Sequence, residues 1–280
     1  MNVNIDACVK NALDKKLNVY FIATADKQTY VDVRAVVPAN PGCNCYSVAK
    51  AYTALGVGIC YDRGLLAPDT TVGEVLGKYF TPAVDEKWRD VTVDRLLRHR
   101  SGVKDCLLDI DVLDASKFDT TDYLQIVLSQ KIADASGEYF RYTDDVYYLL
   151  SRIICEASGQ NLTDLLRRPL MEMMKFKELA WSVCPRGYAL GGTGLYLRTE
   201  DMVKLGALYL RRGDWNGTRV VSEEWVRFSV ENCYGFDSNN NGLVVKGGMR
   251  GQVLAIDFNN EIAYAYHGFG NYKMADVIID

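Results

Sequence analysis

The chain has 280 residues, 49% of them apolar and 24% charged, with a formal net charge of −4. That length can bury a sizeable core in one large domain or two interleaved ones, and the acidic balance excludes the broad basic footprint of a nucleic-acid binder. No apolar run reaches the length of a membrane span, and "MNVNIDACVKNALDKKLNVYF" lacks an apolar stretch behind a basic start, so a cytoplasmic protein with neither nucleic-acid nor membrane partner is expected.

In chain order, residues 4–16 read as a helix. Residues 17–26 and 29–37 alternate apolar and polar positions on either side of "KQ", which predicts an antiparallel hairpin. A second helix begins at or near Ser47: Val48, Ala51, Tyr52, Leu55 and Ile59 share one face at helical spacing, and Gly64 supplies the stop. From 65 to 180 the patterns are mainly helical and broken by loops, with Thr92, Thr121 and Thr143 as candidate N-caps. The run "RLLRHR" at Arg95–Arg100 reads as a solvated helix end, with His99 near the helix C-terminus, where positive charge is favoured.

After 180 a glycine-rich turn leads to a helix with Thr199 as its cap and Glu200 and Asp201 in the first turn. Three strands close the chain, "NGLVVKGG", "GQVLAIDF" and "EIAYAYHG", the last two joined through Asn259 and Asn260. Strands at both ends with helices between them predict an α+β fold, in which one antiparallel sheet is built from both termini and a helical segment is inserted. The corresponding division is 1–64 with 181–280 as the sheet domain and 65–180 as the helical domain, the active site lying between them.

The eight cysteines, Cys8, Cys43, Cys45, Cys60, Cys106, Cys155, Cys184 and Cys233, form no C-x-x-C. With only His99 and His267 beside them, no zinc site or other cofactor is expected. Reduced cysteines acting as small hydrophobes suit this pattern.

Two S-x-x-K patterns occur, Ser47 with Lys50 and Ser101 with Lys104. Ser101 precedes Gly102 after a helix end and reads as turn chemistry. Ser47 opens an amphipathic helix, where residues three apart share a face, so Lys50 can reach the Ser47 hydroxyl. A serine hydroxyl needs a base to become a nucleophile, and a buried lysine with a lowered pKa can serve. The alternative for this stretch is an N-cap serine with a solvated lysine.

Further along, Tyr142 stands just before a strongly apolar helix in "GEYFRYTDDVYYLLSRII", and Lys246 with two glycines ends a strand in "VVKGGMRGQVLAID". Taken one at a time, Tyr142 could be a buried aromatic and Lys246 an exposed edge-strand lysine. Together and in this order, Ser47-Val-Ala-Lys50, Tyr142-Thr-Asp144 and Lys246-Gly-Gly248 resemble the three motifs of the serine β-lactamase and penicillin-binding-protein superfamily. The class C, D-alanyl-D-alanine carboxypeptidase and esterase branch is the nearest in pattern. "VTVDRLLRHRSGV" and "GGTGLYLRTEDMVKLGALYLRRGDWNGTRVVS" resemble further segments of that family, and the likeness runs from about residue 17 to the C-terminus.

The resemblance implies a β-lactamase/transpeptidase-like α/β sandwich and a serine hydrolase acting on a small ester, amide or peptide, a β-lactam among them. It implies that Ser47 forms an acyl-enzyme, that Lys50 and Tyr142 share the base role, and that Lys246 anchors a substrate carboxylate or tunes Tyr142. The N–H groups of Ser47 and Met249 would form the oxyanion hole, and Gly247 and Gly248 would let substrate approach the strand edge.

Two positions depart from the family pattern. Asp144 stands where Asn is usual, and an ionised carboxylate there would raise the Lys50 pKa and shift the base role to Tyr142. Gly247 stands where Thr or Ser is common, which removes a hydroxyl contact to a substrate carboxylate. Both motivate a second reading, a catalytically weak or inactive relative that binds a ligand or partner. A third, a thiol activity at Cys43 or Cys45, has no histidine nearby in sequence to support it.

Overall fold

Asn4 caps helix α1 (Ile5–Asp14), its side-chain oxygen accepting the N–H groups of Asp6 and Ala7 at 3.1 Å each. The computed structural model describes residues 4–279. A hairpin follows, β1 (Val19–Asp26) and β2 (Val31–Ala35), turned by Asp26, whose carboxylate accepts the Tyr30 N–H at 2.9 Å. Strand β3 (Gly42–Asn44) runs into a short 3-10 turn, Tyr46–Val48, and then α2 (Ala49–Asp62). Every residue of α2 from Ala49 to Cys60 is buried, so this helix runs through the core. Gly58 permits that placement: a Cβ there would lie 2.2 Å from the Trp225 indole.

Between 65 and 180 lie five short to medium α-helices, joined by loops, 3-10 turns and one π-helical turn: α3 (Val72–Leu76), α4 (Val93–Leu97), α5 (Tyr123–Leu128), α6 (Asp145–Ser158) and α7 (Leu162–Arg167). Thr92 caps α4 by accepting the Arg95 N–H at 3.3 Å. Thr121 does not cap α5. Asp122 does, accepting the Gln125 N–H. Thr143 is likewise displaced, because Asp144 occupies the cap position of α6, although its side chain makes no capping bond.

The chain continues through β4 (Ala180–Trp181), β5 (Leu195–Arg198), α8 (Thr199–Leu210), β6 (Asp214–Trp215), β7 (Thr218–Arg219) and α9 (Glu223–Asn232). It ends with β8 (Ser238–Asn240), β9 (Leu243–Gly248), β10 (Gln252–Asp257), β11 (Ile262–Gly268) and α10 (Met274–Val277). Thr199 is the first residue of α8 and not its cap, its hydroxyl lying 2.8 Å from His267 Nδ1 instead.

The main sheet is antiparallel, in the order β2-β1-β11-β10-β9-β8. Its centre joins the two ends of the chain, because β1 pairs with β11 along its length. Alternate residues point to opposite faces. Ala23, Leu254, Ile256, Ala263 and Ala265 belong to the large core that includes α2 and α8. Ile22, Val253, Ala255, Tyr264 and Tyr266 form a second cluster with Ile5, Cys8 and Ala12 of α1 and Val277 of α10. Helices thus cover both faces, which explains why "VLAI" in β10 is uniformly apolar. The fold is α+β, as the sequence predicts. No helix among the described residues is long and apolar enough to cross a membrane.

Candidate active site

Ser47 sits in the 3-10 turn ahead of α2. The preceding residue, Tyr46, adopts a left-handed backbone with φ of 46°, an uncommon state for a non-glycine residue that tends to mark functional sites. Asn44 supports it by accepting the Tyr46 N–H at 2.8 Å. The serine makes no capping hydrogen bond, so it is not the N-cap that the alternative for this stretch requires.

Lys50, one turn on, is fully buried, contrary to a solvated lysine. Its ammonium donates to Ser47 Oγ at 3.1 Å, to the Gly192 carbonyl at 2.8 Å, and to the Asp144 carboxylate in a short ion pair. Burial works to lower the lysine pKa, but the Asp144 charge, reinforced by Tyr142, outweighs it and holds Lys50 above its ordinary range. Asp144 thereby leaves its capping role for the core. Gly192 makes room for it, since a Cβ there would lie 2.9 Å from Asp144 Oδ1.

Tyr142 lies on the loop before α6 and is 39% exposed, so it is not a buried aromatic. Its ring centroid is 4.7 Å from Lys50 Nζ and 4.9 Å from Lys246 Nζ, and its hydroxyl accepts from Lys246 Nζ at 3.1 Å. Lys246 is 1% exposed, which removes the edge-lysine alternative. Its second partner is Asp237, at 2.6 Å, a residue outside every motif. The other Asp237 oxygen accepts the Gly247 N–H at 2.7 Å. Gly248 brings the end of β9 against the serine turn, since a Cβ there would lie 2.5 Å from the Cys45 carbonyl oxygen. Met249, the next residue, is partly exposed at that edge. Ser47, Lys50, Tyr142, Asp144 and Lys246 are linked in one chain of contacts, with Gly247, Gly248 and Met249 along one side.

His99 differs from expectation. His99 is buried, its ring stacked 4.4 Å from that of Tyr142 and 5.0 Å from that of Tyr147. Burial, then the charges of Lys50 and Lys246, hold its pKa well below the ordinary value, so it is neutral and carries no charge for a helix terminus. The run "RLLRHR" is correspondingly not a plain solvated end: Arg100 donates to the Glu138 carbonyl at 2.8 Å and ties down the loop that carries Tyr142. His267 lies 3.5 Å from Cys45 Sγ, a pairing invisible in sequence. Both are fully buried. Burial lowers the His267 pKa to about 3 and raises the Cys45 thiol, so this pair is neutral and shut away from substrate.

Two further acidic residues lie near the ion pair. Asp109, Asp111 and Asp144 offer carboxylate oxygens within 4.8 Å of one another, and Asp111 accepts from Thr193 Oγ1 at 2.5 Å. Burial, then the Asp144 charge, pushes Asp109 up. Lys50 already supplies the cation for this group. Asp145 is structural: its carboxylate accepts the N–H groups of Leu107 at 2.9 Å and Leu108 at 2.7 Å and pins their loop to α6. On the other side of Tyr142 a cleft of about 310 Å³ is lined by His99, Arg98, Phe140, Cys233 and Asp237. Sequence reasoning missed Asp237, Gly192 and Asp145. Only Asp237 left a signal: Asn241-Gly242 is a hairpin turn that folds residue 237 back beside Lys246.

An α+β body with helices on both faces of its sheet, and with S-x-x-K at the head of a buried helix, has the fold of the serine β-lactamase and penicillin-binding-protein superfamily. The chain belongs to the beta-lactamase family, whose sequence profile matches residues 5–278. It is 31% identical over 206 residues to penicillin-binding protein 4 of Amycolatopsis lactamdurans, an alignment covering 63% of this chain and 53% of that protein. The chain therefore spans about half the length of that curated relative. Among solved structures, a penicillin-binding protein from Bacillus halodurans superposes with a TM-score of 0.73 at 15% identity, covering 96% of each chain. A penicillin-binding-protein homologue from Caulobacter crescentus gives 0.72 at 14% identity, covering 95% of this chain and 92% of that one. These likenesses establish a hydrolase-family fold.

Proposed function

We propose that the protein is a serine hydrolase that cleaves a small ester, amide or peptide, β-lactams among the candidates, through an acyl-enzyme on Ser47. The observation that carries this reading is the 3.1 Å contact between Ser47 Oγ and the buried Lys50 ammonium, joined to Tyr142 and Lys246 on the far side. Ser47 attacks the carbonyl carbon. The N–H groups of Ser47 and Met249 receive the oxyanion. Because Asp144 holds Lys50 charged, the base is Tyr142 acting as its phenolate beside the Lys246 ammonium; its oxygen takes the serine proton and becomes the neutral phenol. The same proton then passes to the leaving group, and water releases the acyl chain by the reverse path.

A second reading, a ligand-binding relative with little turnover, is favoured by one observation: the Lys50–Asp144 pair, which withdraws the lysine from base duty. Intact mass after treatment with a fluorophosphonate or a penicillin separates the two. An adduct that disappears in Ser47→Ala supports the hydrolase. Absence of an adduct with either reagent favours the binding protein, and an adduct that survives Ser47→Ala but is lost on thiol blocking would point to a cysteine.

A further inference from the structure

Asp237 is joined to both groups that would greet a substrate's negative end. One carboxylate oxygen accepts from Lys246 Nζ at 2.6 Å and the other from the Gly247 N–H at 2.7 Å. The pairing of β8 with β9 stops at Val245, so Lys246–Gly248 form an open strand edge on that side. The Lys246 side chain is 2% exposed and that of Asp237 44%. The buried cation needs a partner, and the partner stands where solvent and substrate enter. A carboxylate bound to an ammonium and a strand-edge N–H is the arrangement an incoming substrate carboxylate would have to make.

We propose that Asp237 is a specificity-determining residue, which fills the anion subsite from within and selects esters or amides without a negative charge at that end. The inference rests on the serine-hydrolase reading. An anionic substrate must either displace Asp237 or lie against it, and like charges brought together at a recognition site are strongly disfavoured. Gly247 adds to the effect: without the hydroxyl that Thr or Ser would supply there, an incoming carboxylate finds no further donor to offset the repulsion.

The test uses a matched ester pair, p-nitrophenyl butyrate and mono-p-nitrophenyl succinate, with kcat/KM measured for wild type, Asp237→Asn and Asp237→Glu. The wild type is expected to prefer the neutral ester. Asp237→Asn should raise the anionic-to-neutral ratio by about tenfold or more, chiefly through KM for the succinate, while Asp237→Glu keeps the wild-type ratio. General loosening of the fold would move both esters together and leave the ratio alone. A wild type that prefers the anionic ester, or a ratio unchanged in Asp237→Asn, overturns the proposal without touching the hydrolase reading. If wild type turns over neither ester and the fluorophosphonate leaves Ser47 unlabelled, the hydrolase reading itself is what fails.

Discussion

At the scale of single residues the centre of this site is a buried ion pair. Two opposite charges about 4 Å apart interact by about 4 kcal/mol at the effective dielectric of a protein site, enough to outweigh the burial that would otherwise discharge Lys50. A lysine whose pKa is raised stays protonated through neutral pH and becomes a base only in strong alkali. Asp144→Asn removes the raising charge but leaves the burial, so the neutral amine becomes available at lower pH. The expected outcome is acylation of Ser47 about tenfold faster at pH 7 to 8, with the alkaline rise of the pH–rate profile shifted downward. Stopped-flow acylation from pH 6 to 10 checks it, and equal rates with superimposable profiles would contradict the role given to Asp144. The serine, lysine, tyrosine and second lysine were legible in sequence because each belongs to a spaced motif. Asp237 left only the Asn241-Gly242 turn as a signal, because its meaning depends on the hairpin register that the turn sets.

Elements carry the site through close packing. Helix α8 lies under the sheet with Gly206 against β11, where a Cβ would fall 2.4 Å from the Ala263 Cβ. The contact is backbone-to-sheet, with no flexible side chain to give way. Gly206→Val should cost about 2 kcal/mol from overpacking, despite the better helix propensity of valine. The corresponding loss is about 5 °C in melting temperature, readable by differential scanning calorimetry; an unchanged or higher transition would mean that the helix can shift outward. Long periodic elements such as α2, α6 and α8 were readable as helices. Caps were less so. Thr121, Thr143 and Thr199 each have the right chemistry, yet Asp122 lies closer to the α5 donors, Asp144 takes the α6 cap position, and the Thr199 hydroxyl meets His267. A neighbour distant in sequence decided where one of these three side chains, that of Thr199, went.

The whole molecule is closed by its two ends. Helix α1 covers the outer face of the sheet with Ile5, Cys8 and Ala12, and Asn11 Nδ2 donates to the Asp276 carbonyl at 2.7 Å, tying it to α10. Deleting residues 1–16 uncovers part of the Val253, Ala255, Tyr264 and Tyr266 face. Burial of a few apolar side chains, about 1.5–3 kcal/mol each, is a large share of a net stability of about 5–15 kcal/mol. The truncated chain should bind a hydrophobic dye and elute as aggregate in size-exclusion chromatography; a monodisperse product with the full-length melting temperature would show that α1 is dispensable. The sequence by itself determined the alternation that makes a sheet from both ends, the helical stretch between them and the three motifs, because these depend on local periodicity and short spacing. The Asp144 carboxylate beside Lys50 was anticipated from the motif spacing, but tertiary structure alone decided that Asp237 occupies the donors of Lys246 and Gly247 and that Cys45 and His267 meet in a sealed pair. Electrostatic partnership is set by distance in space and by exclusion of water, and neither is written in the order of residues until the chain has folded.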